Sequence, residues 1–224
     1  MTKMTLTTEN GVGFDAIVVG PEDTGRAILI IHDWWGMLPY NREWAERFAK
    51  LGYRAMVVDL YDGELASDAQ EAGEMMRGID QEIADRKLLR AMEYLKDGGR
   101  KLAVLGWSFG GRQALQATLL DPESVDASVL YYCRLVDDEE ALRPITGPIL
   151  AVFAEQERTW PEKMEHFAAA MAAAGKTLRT RSYDAGHGFV NPSSERYDAA
   201  AAADAWRATE AFLQEALGKS SAAA

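Results

Sequence analysis

The sequence predicts an α/β fold with a mainly parallel central sheet and helices on both of its faces. The segment Arg26–Ile31 contains a short unbroken apolar run, 27–31, and such runs are typical of strands that are buried on both sides. These runs alternate with segments of helical periodicity, which is the order that builds a parallel sheet. One run, 101–105, ends in Gly-x-Ser-x-Gly and is followed directly by a helical pattern.

The other predicted elements follow the same alternation after an N-terminal hairpin. Predicted strands cover 4–8, 13–19, 26–31, 54–60, 101–105, 127–131, 149–153 and 177–183. Predicted helices cover 42–51, 68–96 with a break near 78–80, 109–120, 160–174 and 198–217. Asn41 is the expected N-cap of the first helix, and 134–146 is expected to be a charged loop. The pattern leaves open whether 64–82 forms a lid.

Composition and charge limit the classes of function. The 224 residues, 48% of them apolar, predict one domain over 1–218 and a flexible tail over 219–224. A net charge of −11 argues against nucleic acid or an anionic membrane as a partner. No apolar run reaches the roughly 18 residues of a membrane span, and the N-terminus lacks a signal-peptide core, so we expect a cytoplasmic protein. The single cysteine, Cys133, is expected to be a structural thiol.

The Gly-x-Ser-x-Gly segment has the form of a nucleophile elbow. In such a turn the serine adopts a strained backbone conformation, and its hydroxyl stands clear of the chain. Gly106 and Gly110 are expected because neighbouring segments press against the turn. Ser108 is therefore the candidate nucleophile, and the N–H of Phe109 is a candidate donor to an oxyanion. The second donor is expected to be the N–H of Trp34, in the loop after the first buried strand.

A serine hydroxyl needs a base that removes its proton. His187 is the candidate base, because it lies between two glycines directly after a predicted strand near the C-terminus. His166 falls in the middle of a helix and is expected to be solvated, whereas His32 is expected to shape its loop. Three histidines and one cysteine without ligand spacing give no signal for a metal site, and no cofactor is expected.

The triad acid is expected in the loop after strand 149–153, because the C-terminal ends of parallel strands meet at one edge of the sheet. This loop contains Glu155 and Glu157, of which Glu157 is the first choice. Asp137 and Asp138, which follow the preceding strand, are further alternatives. Spacing alone does not separate the two glutamates.

Aromatic side chains at predicted strand ends and in the following loops are candidates for an apolar pocket. Ordinary core packing explains any one of them equally well. They are Trp34, Trp35, Trp107, Phe109, Tyr131, Tyr132, Trp160 and Phe189.

With these residues placed, the chain resembles the dienelactone hydrolase family of the α/β-hydrolase superfamily over about residues 12–215. The resemblance implies an α/β-hydrolase fold and a small ester or lactone as substrate, without a metal or cofactor. It is carried by His-Asp-Trp-Trp-Gly at 32–36, Asp-Leu-Tyr at 59–61, Gly-Trp-Ser-Phe-Gly-Gly at 106–111, Tyr-Tyr at 131–132 and Gly-His-Gly-Phe-Val-Asn-Pro at 186–192.

The family pattern also bears on the acid and the nucleophile. Its acid loop usually reads Gly-x-x-Asp, and here Ala154 and Glu157 hold the glycine and aspartate places, which favours Glu157 over Glu155. The best-known members carry a cysteine where this chain has Ser108. In them an acidic residue contacts the resting nucleophile, and the resemblance gives that place to Asp33.

The resemblance also marks a difference in substrate binding. The best-known members hold a substrate carboxylate with an arginine, and Asn191 stands at that position here. Arg77, Arg134 and Arg158 are the alternatives that this chain offers.

The sequence therefore predicts a serine esterase that acts through an acyl-enzyme, with Ser108 as nucleophile, His187 as base and Glu157 as the residue that orients it. The alternatives are a thioesterase or amide hydrolase with the same triad, or a non-catalytic binding protein on a hydrolase scaffold. The expected partner is a small molecule, and the pattern leaves open a monomer or a homodimer.

Overall fold

The computed structural model describes residues 2–218. Eight strands form one sheet in the spatial order first, second, fourth, third, fifth, sixth, seventh, eighth. The first pairs antiparallel with the second and the second with the fourth, and all other neighbours are parallel. The strands are β1 Thr2–Thr7, β2 Gly13–Val19, β3 Arg26–Ile31, β4 Arg54–Val58, β5 Lys101–Trp107, β6 Ala127–Tyr131, β7 Ile149–Ala154 and β8 Leu178–Tyr183.

Helices connect the parallel strands and cover both faces of the sheet. No helix within residues 2–218 has the combination of length and apolarity that a membrane span needs. The helices are α1 Pro39–Lys50, α2 Ala69–Gly78, α3 Gln81–Lys96, α4 Phe109–Leu120, α5 Glu139–Leu142, α6 Glu162–Ala173 and α7 Ala199–Leu217.

The core lies in two layers, one on each side of the sheet. Every residue of β3 is buried, and successive side chains point to opposite faces. Ile28 packs with Trp44 of α1 and Trp206 of α7. Leu29 packs on the other face with Leu88 of α3. This two-sided burial explains the unbroken apolar run at 27–31 of the strand.

Most element predictions are confirmed. The hairpin, the parallel strands and the break between α2 and α3 are present. The break has a local cause, because the carboxylate of Asp80 accepts hydrogen bonds from the N–H groups of Glu82 and Ile83 and starts a new helix. The proposed tail over 219–224 lies outside the described residues.

Two local predictions were wrong. Asn41 does not cap α1; the helix starts at Pro39 with Leu38 in the cap position, and Asn41 is buried inside it. Proline suits the first helical position because its φ is already helical and its missing N–H is not needed there. The expected loop 134–146 contains the short helix α5, whose N-cap Asp138 accepts a hydrogen bond from the N–H of Glu140.

Candidate active site

Ser108 lies at a sharp turn between β5 and α4. Its backbone has φ +53° and ψ −114°, a conformation that non-glycine residues rarely adopt. The Ser108 N–H donates to the carbonyl of Tyr131 on the neighbouring strand, and its own carbonyl accepts from the N–H of Arg112. The strained turn is therefore held by hydrogen bonds on both sides.

The glycines around Ser108 are required by close backbone contacts. A Cβ atom at Gly106 would lie 2.0 Å from the carbonyl oxygen of Gly110. A Cβ atom at Gly110 would lie 2.2 Å from the carbonyl oxygens of both Ile31 and His32. The prediction that neighbouring segments press against this turn is confirmed, because the end of β3 occupies the space that a side chain would need.

Three polar side chains from distant parts of the chain meet at this turn. The Oγ of Ser108 lies 2.8 Å from the Nε2 of His187. The Nδ1 of His187 lies 2.5 Å from the Oε1 of Glu157. His187 belongs to the turn after β8, and Glu157 to the loop after β7. The carboxyl ends of three parallel strands thus deliver one residue each.

Glu157 is the only one of the four candidate acids that the described structure brings to His187. Glu155 instead accepts a hydrogen bond from the hydroxyl of Ser182. Asp138 caps α5, and the side chain of Asp137 is exposed.

The environment of Glu157 favours its ionised form. Its side chain is only 12% exposed, and this burial by itself raises the pKa of the carboxyl group. Hydrogen bonds from His187 and from the ammonium group of Lys163 outweigh the burial, so the pKa of Glu157 is lowered. The carboxylate is thus negatively charged and faces the imidazole.

Asp33 has partners other than those that the family resemblance implies. Its Oδ1 accepts the N–H of Trp35 at 3.0 Å, and its Oδ2 accepts the hydroxyl of Tyr40 at 2.7 Å. Burial raises the pKa of Asp33 to about 6, although these hydrogen bonds lower it. Within residues 2–218 no hydrogen bond joins Asp33 to Ser108, so the implied contact with the resting nucleophile is corrected. The physical reason is that the buried phenol of Tyr40 needs an acceptor and takes the free carboxylate oxygen.

His32 shapes its loop, as predicted. The fully buried ring places Nδ1 2.7 Å from the carbonyl oxygen of Asp33, and the Leu60 N–H donates to Nε2 at 3.1 Å. The accepting Nε2 assigns the proton to Nδ1. His166 is exposed on α6, also as predicted.

The two backbone N–H groups proposed for an oxyanion lie on the segments that meet at the elbow. Phe109 is the first residue of α4, so its N–H has no acceptor within the helix and lies at the positive end of the helix dipole. Trp34 lies two residues after His32, whose carbonyl oxygen packs closely against Gly110. The indole of Trp34 is half-buried and packs edge-on against Trp35, with 5.4 Å between ring centroids.

The aromatic pocket candidates divide into two groups. Tyr132, with φ +32°, packs against the imidazole of His187 at a centroid distance of 5.0 Å. Trp35 and Trp160 are half-buried, and Trp160 packs against Phe153. These side chains border the site or its loops.

Three of the pocket candidates belong to the core instead. Tyr131 is fully buried, and its hydroxyl is hydrogen-bonded to the carbonyl of Ala205 and to the hydroxyl of Thr209. Trp107 is fully buried and packs edge-on against Trp44 at 4.9 Å, below the elbow. Phe189 is also fully buried, between Tyr132 and Tyr183. None of the three presents surface to a substrate, so their assignment to the pocket is corrected. Side-chain alternation along β5 is the reason for Trp107, because the residue before the elbow points to the face covered by α1.

Of the polar candidates for substrate binding, Asn191 lies beside Asp33, whereas the three arginines lie elsewhere. Asn191 is buried, and its side-chain oxygen accepts the N–H of Ser193. Arg134 and Arg158 have exposed side chains, and Arg77 folds back over Gly73. In the described part of the chain, none of these arginines is hydrogen-bonded to the three side chains at the elbow.

Sequence reasoning missed three residues around the site. Tyr40 binds Asp33, Lys163 binds Glu157, and the ring of Tyr61 stacks on Phe109 with 5.4 Å between centroids. Of these three residues, only Lys163 has a signal in the sequence: it lies six residues after a candidate acid, at the start of a predicted helix. No group of three His, Cys, Asp or Glu residues within 2–218 is arranged to hold a metal ion.

Comparison with known proteins places this geometry in a family. The model of the dienelactone hydrolase family matches residues 14–217. The chain belongs to the dienelactone hydrolase family. This membership makes it a hydrolase of ester bonds with the α/β-hydrolase fold, as the sequence resemblance implied.

Two curated proteins are similar to this chain over most of their length. The protein usf of Aquifex pyrophilus is 28% identical over 97% of this chain and 100% of its own. The carboxymethylenebutenolidase of Rhodococcus opacus is 25% identical over 89% of this chain and 84% of its own. A crystal structure of a dienelactone hydrolase-like promiscuous phosphotriesterase from metagenomic libraries superposes with a TM-score of 0.82, 20% identity and coverage of 97% and 99%. That structure supports the shared fold.

Proposed function

We propose that this chain is a serine esterase that cleaves a small carboxylic ester or lactone through an acyl-enzyme. The observation that carries the proposal is the continuous hydrogen-bonded path from Ser108 through His187 to Glu157. Each residue has the chemistry its position needs: a hydroxyl at a strained turn, an imidazole with both nitrogens engaged, and an ionised carboxylate.

The first half of the reaction forms the acyl-enzyme. The Ser108 oxygen attacks the ester carbonyl carbon while Nε2 of His187 takes the hydroxyl proton. The N–H groups of Phe109 and Trp34 donate to the oxyanion, and such a donor contributes on the order of 10²–10³ in rate. Collapse of the tetrahedral intermediate breaks the bond to the alcohol oxygen, which takes the proton from His187.

The second half releases the acid. His187 removes a proton from water, the resulting hydroxide attacks the acyl carbonyl, and Ser108 leaves with the proton that His187 returns. Glu157 accepts the Nδ1–H throughout and stabilises the imidazolium that forms in both halves.

Cys133 is not suited to the role of nucleophile. Its side chain is buried, and burial raises the pKa of the thiol to about 12. The reactive form of a cysteine is the thiolate, which is scarce near neutral pH when the pKa is this high. Ser108 therefore remains the nucleophile of the proposed reaction.

The proposal also covers the substrate, the location and the domain organisation of the enzyme. A small-molecule ester or lactone is the proposed partner, the proposed location is the cytoplasm, and one domain over 1–218 carries the activity. A thioester or an amide fits the same three side chains, and so does a non-catalytic role for the scaffold. Monomer and homodimer are both compatible with the proposed site.

Covalent labelling tests the proposal directly. A fluorophosphonate probe should modify Ser108 with one equivalent per chain, located by peptide mass spectrometry. Ser108→Ala should lose labelling and at least about 10³-fold in the rate of aryl acetate hydrolysis. A folded sample that hydrolyses nothing and takes up no probe favours the binding protein, and full activity of Ser108→Ala overturns the mechanism.

The pH profile and a substrate panel refine the test. The rate kcat/KM should fall on the acid side as His187 gains a proton and can no longer act as base. A profile that does not fall on the acid side contradicts the assignment of His187 as the base. Matched esters, lactones, thioesters and amides then distinguish esterase activity from its alternatives.

A further inference from the structure

We propose that Lys163 is a positioning residue that holds the triad acid in register with the base. This inference rests on the proposed function of Ser108, His187 and Glu157. Within residues 2–218 Lys163 is hydrogen-bonded to neither the nucleophile nor the base, so it acts on the reaction by holding Glu157 and through its charge.

The two oxygens of Glu157 have different partners. Oε1 faces Nδ1 of His187, and Oε2 is paired with Nζ of Lys163. The lysine and glutamate side chains are 19% and 12% exposed, so water screens their attraction less than at the surface. With both oxygens engaged, rotation of the carboxylate would break one of the two contacts.

The turn between these two residues sets their distance. The N–H of Trp160 donates to the carbonyl of Glu157 at 3.1 Å, and the N–H of Lys163 donates to the carbonyl of Thr159 at 2.9 Å. Lys163 is the second residue of α6, so its side chain starts from a rigid element next to the loop. The lysine is thus built into the same short segment as the acid.

The identity of the acid explains why a second anchor is useful. A glutamate has one more side-chain torsion than an aspartate, and each additional rotatable bond multiplies the conformations that place Oε1 away from His187. A charge-assisted hydrogen bond to Oε2 selects the conformation in which Oε1 meets the imidazole. An aspartate would need less help of this kind.

The charge of Lys163 has a second effect. The ammonium group neutralises part of the carboxylate charge, which weakens the attraction between Glu157 and a protonated His187. Lys163 therefore helps the base to lose its proton again. Removing this charge should make the imidazolium more persistent, and the acid side of the rate profile should move to higher pH.

Other titratable groups face the same site. Asp33, whose pKa is raised to about 6, interacts electrostatically with His187 and titrates in the same pH range, but it is the same in every chain compared. Burial raises the pKa values of Tyr132 and Cys133, which keeps both neutral, and Asp33 is bonded to Tyr40. A cavity of about 440 Å³ lies beside Lys163. Its charged or titratable lining groups are Asp137, Arg158, Glu162, Lys163 and His166.

Two lysine variants test the inference in the intact chain. Lys163→Met should lower kcat about tenfold, the scale of one hydrogen bond to a charged group, with KM little changed. It should also move the acid limb of kcat/KM upward by roughly half a pH unit. Lys163→Arg should recover most of kcat. Lys50→Met, at the exposed end of α1, is the control and should leave both quantities unchanged.

The cavity provides an independent measurement. Lys163→Ala should regain activity on addition of ethylammonium, which can enter from the cavity and donate to Oε2. Tetramethylammonium has the charge but no N–H donor and should not restore kcat. Restoration by both cations to the same extent contradicts a hydrogen-bonded anchor.

Failure of this inference is distinguishable from failure of the proposed function. If Ser108 of the parent chain takes up no fluorophosphonate, the proposed function fails. If Ser108 is labelled while Lys163→Met keeps the parent kcat and pH profile, only the role of Lys163 is overturned. If Lys163→Met has a lower melting temperature but unchanged kinetics, the ion pair between Lys163 and Glu157 stabilises the fold and has no role in the reaction.

Discussion

The Nδ1 atom of His187 lies 2.5 Å from the Oε1 atom of Glu157, although 30 residues separate them in the chain. Four carboxylates near this edge of the sheet satisfy the sequence criteria for a triad acid. This contact distinguishes one of them by geometry, because Glu155 is turned toward Ser182.

Amide replacement of the two neighbouring glutamates should have unequal effects. Glu157→Gln removes the charge that stabilises the imidazolium and should lower kcat by about 10³–10⁴-fold, the loss seen when a triad carboxylate is amidated. Glu155→Gln, the matched control, should stay within about twofold of the parent chain. Steady-state hydrolysis of an aryl acetate measures both, and equal losses would reject Glu157 as the specific acid.

Alanine at Gly110 should destabilise the fold strongly. The new Cβ would lie 2.2 Å from two backbone carbonyl oxygens, which cannot move without shifting the end of β3, so we expect a loss of at least about 3 kcal/mol. Gly25→Ala is the control, because no atom lies within 4 Å of its Cβ position, and its effect should stay within about 0.5 kcal/mol. Urea unfolding gives both values, and similar losses in the two variants would refute the close contact.

Asparagine at Asp33 should change how stability depends on pH. Burial raises the pKa of Asp33 from 3.8 to about 6, so the folded chain binds this proton more tightly than the unfolded chain. The contribution of Asp33 to stability is therefore fully present below pH 3.8 and is lost as the pH rises through about 6.

Because the stabilising contribution of Asp33 is lost as the pH rises, the variant and the parent chain should differ in how their stability depends on pH. The free energy of unfolding of Asp33→Asn, relative to the parent chain, should rise by about 1.4 kcal/mol per pH unit in this window, to at most about 3 kcal/mol. Asp137→Asn, at an exposed position, should show a constant difference. Urea titrations from pH 4 to pH 7 supply the data. A difference for Asp33→Asn that falls with pH would mean that the folded state prefers the charged form.

The thiol of Cys133 should be inert in the folded chain. Because burial raises its pKa to about 12, a disulfide reagent at pH 8 should react only as fast as the protein unfolds. One equivalent should react at once in denaturant. Cys133→Ala should retain esterase activity, and rapid labelling of the native chain accompanied by loss of activity would implicate the thiol in the reaction.

The sequence was sufficient for the elements whose signals are local and redundant. The strand that contains Ile28 and Leu29 is a short, continuously apolar segment, which is typical of a strand buried on both faces. The two glycines of the elbow indicate a turn that is crowded by neighbouring backbone. The start of α1 was misjudged because Pro39 and Asn41 are both start signals, and their ranking depends on which side chain the core buries.

The rest depends on which way side chains point. Trp107 and Tyr132 both follow apolar strand residues, yet one lies in the core under α1 and the other against His187. The pairings of Asp33 with Tyr40 and of Glu157 with Lys163 join residues without a shared periodicity. Such contacts depend on the path of the loops in three dimensions, which the pattern of residues along the chain does not predict.

The backbone at position 108 is fixed by its neighbours rather than by its own side chain. Gly106, Gly110 and the end of β3 hold the turn, and the Ser108 N–H is anchored to the adjacent strand. The conformation of the elbow therefore does not depend on which reactive atom the side chain at position 108 carries. Exchanging the oxygen at this position for sulfur would change the reactive atom and leave the backbone that holds it unchanged. The chemistry at position 108 can therefore be changed by substitution without a change in the fold around it.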